Sequence, residues 1–396
     1  MATLHPILFP QSLDVAGLGL TGGHTWKHLA VRTAPDGGRY TLSDVGPDLT
    51  HAGVSHNDRG AVTEQVLTRY SPDGRPSAQT LVRGSHEWSV ADALSVLPDG
   101  RPLLSTRDNR ARVLEPGLDT AEPVCAPGTD RWAHRTRTTP SGRVLCLLGD
   151  NVVAVSQEPV GTELPELTAV TALRRERPAL RGPRYYPPSD GSGEGEPRTE
   201  LAEQITGRYG TGFRVPRPES VRDVVPIDDS TFVVLMLGWF KHAAQRGGDF
   251  LFGLVDSEGT LLGHLDLDTH RDSPCRGVRY DVVTDHRRDR IVHLNTFGLY
   301  TFDLSGNRTC QLSTEDRRFA PLKHFRLHDI DGNGGLVLVH EKQHLVLTVP
   351  LPDDVSDLPD AVTDALAHFR RARHRLKKEY APTDWNWTTS EVPLNA

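Results

Sequence analysis

Three stretches of this chain share one layout: HTWKHLAVRTAPDGGRYTL (His24 to Leu42), HEWSVADALSVLPDGRPLL (His86 to Leu104) and DRWAHRTRTTPSGRVLCLL (Asp130 to Leu148). Each has Trp at its third position, an alternating run, a Pro-x-Gly turn and a second run. Glycine in such a turn supplies the positive φ that a tight hairpin needs, so each stretch reads as two antiparallel strands. A unit repeated along a chain restricts the fold to architectures in which neighbouring units stack to bury one continuous core.

The units extend beyond the shared fragments. The second continues as RPLLSTRDN, RARVLEPG and AEPVC, making four short strands, and the third continues through RVLCLLGDN and VVAVSQ to a short segment near Glu163 to Leu167. The first is stretched by a polar loop before AVTEQVLTRYSPDGRPSAQTLV. Past residue 220 the same pattern resumes in three more units. Four antiparallel strands per unit, at roughly 40 to 50 residues per unit, is the pattern of a β-propeller blade. The expected fold is therefore all-β, a six-bladed β-propeller over residues 1–350, with blades near 24–83, 88–125, 132–167, 221–267, 278–313 and 323–350.

Residues 168–220 lack alternation and are rich in Pro, Gly and charge. They read as a mobile insertion, with a seventh blade as the alternative. The last blade lacks an outer strand, and either LHPILFP at the start or WNWTTSEV at the end could supply it and leave no open edge. In the C-terminal part, 351–396, Val362, Leu366, Phe369, Leu376 and Tyr380 recur at helical spacing. They predict an amphipathic helix packed on the ring, with partner docking as the other reading.

Composition bounds the function classes. A net charge of −7 argues against a nucleic-acid or anionic-membrane partner, and no run is long and apolar enough to span a bilayer. The start MATLHPILFPQSLDV has no signal-peptide layout, and Cys125, Cys146, Cys275 and Cys310 show no CxxC spacing. The expectation is a cytoplasmic monomer. Basic charge is carried almost wholly by Arg, with only six Lys, which fits a GC-rich bacterial genome.

The fragments ADALSVLPDGRPLLSTRDNRARVLEP and RYSPDGRP resemble six-bladed propellers of the NHL and gluconolactonase-like kind. That resemblance implies a propeller with loops gathered around an axis; its lactonase members hold a divalent metal through a Glu, an Asn and an Asp. Here Glu87 stands in SHEW without the Gly-Pro that usually follows, and no Arg-Pro-Asn-Asp segment appears. The lactonase activity is not carried over.

In a propeller, the loops before each innermost strand and those joining the second and third strands converge on one face, called the mouth below. Residues distant in sequence meet there. The candidates for acid–base chemistry are His86, His134, Asp108 and Arg276. The candidates for ligand contact are His24, Trp26, His28, Trp88, Trp132, Arg222, Trp239, Asn295 and His324. The aromatic rings suit a flat or cationic ligand, and the imidazoles suit proton transfer near neutral pH. The same Trp positions equally suit packing between blades. No HxH, HExxH, GxSxG or dinucleotide-binding pattern is present, so no cofactor is expected, with a divalent metal as the weaker alternative. DIDGNG (Asp329 to Gly334) matches half of a calcium loop but lies where other blades have their hairpin turn, and reads as that turn. The preferred function is binding of a small molecule or a protein at the mouth. The alternative is an enzyme of hydrolase, lyase or cyclase type working in the central pocket.

Overall fold

A computed structural model describes residues 1–7, 24–47, 64–82, 94–105, 110–118, 121–125, 135–148, 152–160, 167–170, 221–242, 245–257, 261–267 and 281–379. They form six four-stranded antiparallel sheets. Blade 1 consists of β2 (His24–Thr33), β3 (Arg39–Pro47), β4 (Glu64–Tyr70) and β5 (Pro76–Val82). Blade 2 consists of β6 (Leu94–Val96), β7 (Pro102–Ser105), β8 (Arg110–Leu114) and β9 (Ala121–Cys125). Blade 3 is β10 (Arg135–Thr138), β11 (Arg143–Leu148), β12 (Val152–Pro159) and β13 (Leu167–Val170). Blade 4 is β14 (Val221–Pro226), β15 (Thr231–His242), β16 (Gln245–Asp256) and β17 (Leu261–His264). Blade 5 is β18 (Asp281–Asp285), β19 (Arg290–Leu294), β20 (Gly298–Asp303) and β21 (Arg308–Ser313).

Blade 6 decides how the ring closes. Its strands β22 (Arg326–Ile330), β23 (Gly335–His340) and β24 (Leu345–Pro350) are consecutive, and its fourth is β1 (Thr3–Pro6) from the amino terminus. The register runs from Thr3↔Thr348 to Pro6↔Leu345, and the Ile7 amide continues it by donating to the His344 carbonyl at 2.7 Å. The amino-terminal strand thus covers an edge that blade 6 would otherwise expose. Leu4 and Ile7, three residues apart and so on opposite faces of the extended segment, are both buried, each in a different core cluster.

The first strands of the blades form the inner ring. β2 touches β6, β6 touches β10, and so on through β14, β18 and β22 back to β2. The Pro-x-Gly turns form as expected: Gly37, Gly100 and Gly142 have φ of 82°, 91° and 89°. In DIDGNG the turn is a hairpin. Asp331 Oδ1 accepts from the Asn333 amide at 3.0 Å and the Gly335 amide at 2.7 Å, and Gly334 takes the positive φ.

One long helix, α1 (Leu358–Glu379), follows the last blade. It packs on β1 and β24, and its buried Leu358, Val362, Ala365, Leu366, Phe369 and Leu376 join a single core cluster with blades 5 and 6 and with Phe319, Leu322 and Phe325. The chain reaches the helix through a latch on blade 5. Arg288 Nε donates to Asp353 Oδ1 at 2.8 Å and Arg290 Nη2 to the Asp353 carbonyl at 2.7 Å. The expected insertion, 168–220, begins later than the sequence suggests, because β13 carries the blade-3 ladder through Val170; residues 171–220 and Tyr380 lie outside the described residues.

Candidate functional site

The inner strands carry a collar of charge that joins one blade to the next. Between blades 3 and 4, Arg137 Nη2 lies 3.5 Å from Asp223 Oδ2, both side chains buried. Between blades 5 and 6, Arg326 grips Asp281 through Nε and Nη2, with distances of 2.6 to 3.0 Å, and the Leu327 amide adds a bond to Asp281 Oδ2 at 3.0 Å. Between blades 6 and 1, the Val31 amide donates to His328 Nδ1 at 3.1 Å and the Thr33 amide to Asp329 Oδ2 at 2.7 Å, while Arg32 reaches the His328 carbonyl. Hydroxyls do the same work elsewhere. Ser95 Oγ donates to the Thr136 carbonyl at 2.7 Å, Thr284 Oγ1 to that of Pro226 at 2.8 Å, and Tyr40 to that of Gly100 at 3.0 Å.

These groups converge because of the repeat. Arg32, Arg137 and Asp329 each stand five residues before a turn glycine (Gly37, Gly142 and Gly334), so they occupy the same level of three different inner strands. Asp329 on blade 6 is influenced electrostatically by Arg32 on the adjacent blade and by Arg137 on the blade opposite. Burial pushes the Asp329 carboxyl above the usual carboxylate range, against the lowering pull of Arg32, of the Thr33 and Ile330 amides and of Arg137. A buried carboxylate is costly unless its charge is compensated, and here the Thr33 and Ile330 amides donate to it while Arg32 and Arg137 act on it electrostatically.

A second buried polar group supports the mouth. His293 on β19 is inaccessible. Its Nδ1 lies 3.0 Å from the Asp281 carbonyl and its Nε2 lies 3.2 Å from Asn295 Nδ2, with Phe252 and Tyr300 packed against the ring. Desolvation holds its pKa down at about 4, so the imidazole is neutral at pH 7. Asn295, also buried, uses Oδ1 to accept from the Phe297 and Gly298 amides at 2.8 and 3.0 Å, which shapes the β19–β20 loop from within. His324 is exposed at the end of a short 3-10 turn (Ala320–His324) leading into β22, 5.9 Å from the ring of the buried His340.

Several expected loop residues are in strands. His24, Trp26 and His28 lie in β2, because β3 continues the ladder out to His24↔Pro47. Arg222 is in β14, at the irregularity between Val221 and Asp223. Trp239 is in β15. Its ladder with β16 runs on from Met236, the last residue that β14 covers, to His242↔Gln245 and forms a two-stranded ribbon beyond the blade. On one face of that ribbon Trp239 stands opposite Gly248 and Lys241 opposite Arg246. His86, Trp88, Asp108, Trp132, His134 and Arg276 lie outside the described residues. The collar residues were absent from the expected site, although Arg, His and Asp inside the runs AVRTA, HRTRTT and RLHDI were visible departures from an apolar pattern. Among the described residues no group of His, Cys, Asp and Glu is placed to hold a metal ion.

The strand order and the closed inner ring make the chain a six-bladed β-propeller. No protein-family model matches the chain, and no curated protein does. Among solved structures it is similar to virginiamycin B lyase from Staphylococcus aureus (9% identity over 89% of this chain and 88% of that one, TM-score 0.40). It is also similar to Kuenenia stuttgartiensis hydrazine synthase (10% identity, 83% and 96%, TM-score 0.43) and to the WD40 domain of Neurospora crassa Pan2 (11% identity, 82% and 90%, TM-score 0.38). At this distance none of them informs the chemistry of the site.

Proposed function

We propose that this chain is a binding propeller that takes a small molecule or a protein partner at its mouth. One observation supports this reading over an enzyme with a central pocket: among the described residues, charged and imidazole groups on the inner strands bond from one blade to the next. Arg137 is paired with Asp223, Arg326 with Asp281, and His328 and Asp329 accept from the backbone of blade 1. An acid or base committed to such bonds is a poor proton carrier, and breaking them would open the ring. Recognition then falls to the segments that lead into the inner strands, and this reading assigns ligand contact to His86, Trp88, Trp132 and His134, with Asp108, Arg276, Arg222, His24, Trp26, His28, Trp239 and His324 as further candidates. Asn295 contributes by holding its loop. The unpaired thiols of Cys146 and Cys310 fit a reducing compartment such as the cytoplasm, and a monomer suits a ring closed by its own strand.

A thermal-shift screen of small polar metabolites, with turnover followed for every hit, tests this reading. The expected result is a saturable upward shift without turnover, lost when His86 and His134 are both changed to Ala. Turnover by the wild type, lost in the same variant, would select the enzyme. A shift that survives the double change would remove the mouth from the account.

A further inference from the structure

We propose that the carboxy-terminal half of α1 is a docking surface for an acidic segment of a partner protein, separate from the ligand site at the mouth. Residues 370–379 hold six Lys or Arg and one carboxylate, within a chain of net charge −7. Arg370, Arg371, His374, Arg375 and Lys378 are exposed. At 100° per residue they fall within an arc of about 140° on the side of the helix away from its buried Val362, Leu366 and Phe369. Arg373 is turned inward instead, with its guanidinium 5.7 Å from the Phe369 ring centre.

Fold stability does not account for this stripe. Cations complement a helix dipole only in the last turn, and Arg370 and Arg371 stand two turns earlier. Arg370 with His374, and Arg371 with Arg375, are i,i+4 pairs that repel when charged and weaken the helix. A sequence that keeps such repulsion on an exposed face gains from an anion that relieves it. Arginine suits this role, because its planar fork grips carboxylates through two bonds.

Charge distribution selects the partner. Screening confines the stripe's attraction to about 8 Å at physiological salt. A short acidic segment can sit within that range, whereas a long nucleic acid or a membrane would also face the acidic remainder of the surface. Position adds a consequence. Phe369 stacks on His340 at 5.4 Å and meets Phe325 edge-on at 4.9 Å, and His340 neighbours the exposed His324. The buried face of the helix therefore lies beside the entry to β22, and the stripe lies on the outer side of the helix, away from that contact.

The test uses the full chain and a fluorescein-labelled twelve-residue Glu/Ser peptide, with binding read by anisotropy at two salt concentrations. A single-stranded oligonucleotide of equal charge and phosphatidylserine vesicles serve as competing probes. The variant R370E/R371E/R375E is compared with R75E/R287E/R308E, which changes net charge equally at exposed sites elsewhere. The expected result is salt-sensitive peptide binding that weakens about tenfold or more in the helix variant alone, with all melting temperatures unchanged. If the triple reversal unfolds the protein, R371A/R375A replaces it with the same expectation in direction. No peptide binding, equal weakening in both variants, or tighter binding of the oligonucleotide or vesicles would each overturn the proposal. None of these variants touches the mouth residues, so the two readings fail separately.

Discussion

Deleting Met1–Ile7 should destabilise the propeller far more than trimming a frayed end. The segment buries Leu4 and Ile7, which are 9% and 5% exposed. Leu4 belongs to the large core shared by blades 5 and 6 and α1, while Ile7 packs with Val31, Tyr70, Val337, Val339 and Val346 across the junction of blades 6 and 1. Burial of two such side chains contributes about 3 to 6 kcal/mol. The ladder bonds to β24 and the Ile7–His344 bond add about 0.5 to 1.5 kcal/mol each. The entropy of ordering the segment offsets much of this gain, leaving a net loss of a few kcal/mol, which is still large beside a domain stability of about 5 to 15 kcal/mol. Urea unfolding followed by tryptophan fluorescence would measure the loss, and adding the free peptide ATLHPILF at high concentration should restore part of it. If the truncated protein melts with an unchanged midpoint, closure by β1 is wrong. Point changes give a graded version: Leu4→Ala and Ile7→Ala should each cost about 2 to 4 kcal/mol.

Three other outcomes follow from particular groups. His293 is held neutral with a pKa of about 4 in the folded protein against 6.5 for a free side chain, so its contribution is fully present above pH 6.5 and falls away as pH drops toward 4, by about 3 kcal/mol in all. Unfolding free energies across that range should show this slope, and His293→Gln should flatten it; an unaltered slope would show that His293 is not its source. Changing Asp223 to Ala removes one carboxylate partner of the buried Arg137 and should cost about 1 to 3 kcal/mol, with the double change to Ala and Met recovering part of it; a double-mutant cycle checks the coupling. Gly334→Ala should destabilise by about 1 to 3 kcal/mol in thermal melts, because φ is +75° and an added Cβ would lie 2.5 Å from Arg288 Nη1.

The blades were legible because a hairpin is local: Pro35-Asp36-Gly37 and Pro98-Asp99-Gly100 specify their turns without help from the rest of the chain. Ring closure was not, because LHPILFP and WNWTTSEV both have strand-like content, and the pairing of β1 with β24 joins residues as far apart as Thr3 and Thr348, which spacing does not reveal. Trp239 reads as a loop residue in the sequence, with Gly238, Gly247 and Gly248 around it, yet the ladder passes through all three glycines. The collar was visible as charged letters in β-strands but not as a site. Arg137 and Asp329 come from opposite blades, 192 residues apart, and only the closed ring brings them near one another. In DIDGNG the carboxylates of Asp329 and Asp331 serve different backbone partners, a distinction that spacing alone does not make.

The most direct measurement of the central claim is hydrogen exchange of the full chain with and without the ligand or partner that the thermal screen selects. Binding at the mouth predicts slowed exchange in the segments before β6 and β10, 83–93 and 126–134, and in the β19–β20 loop around Asn295. The hairpin turns at Pro35–Gly38, Pro98–Arg101 and Pro140–Arg143 should stay unaltered. Protection concentrated on those turns, with none in the segments before the inner strands, would place recognition on the opposite face and contradict the account.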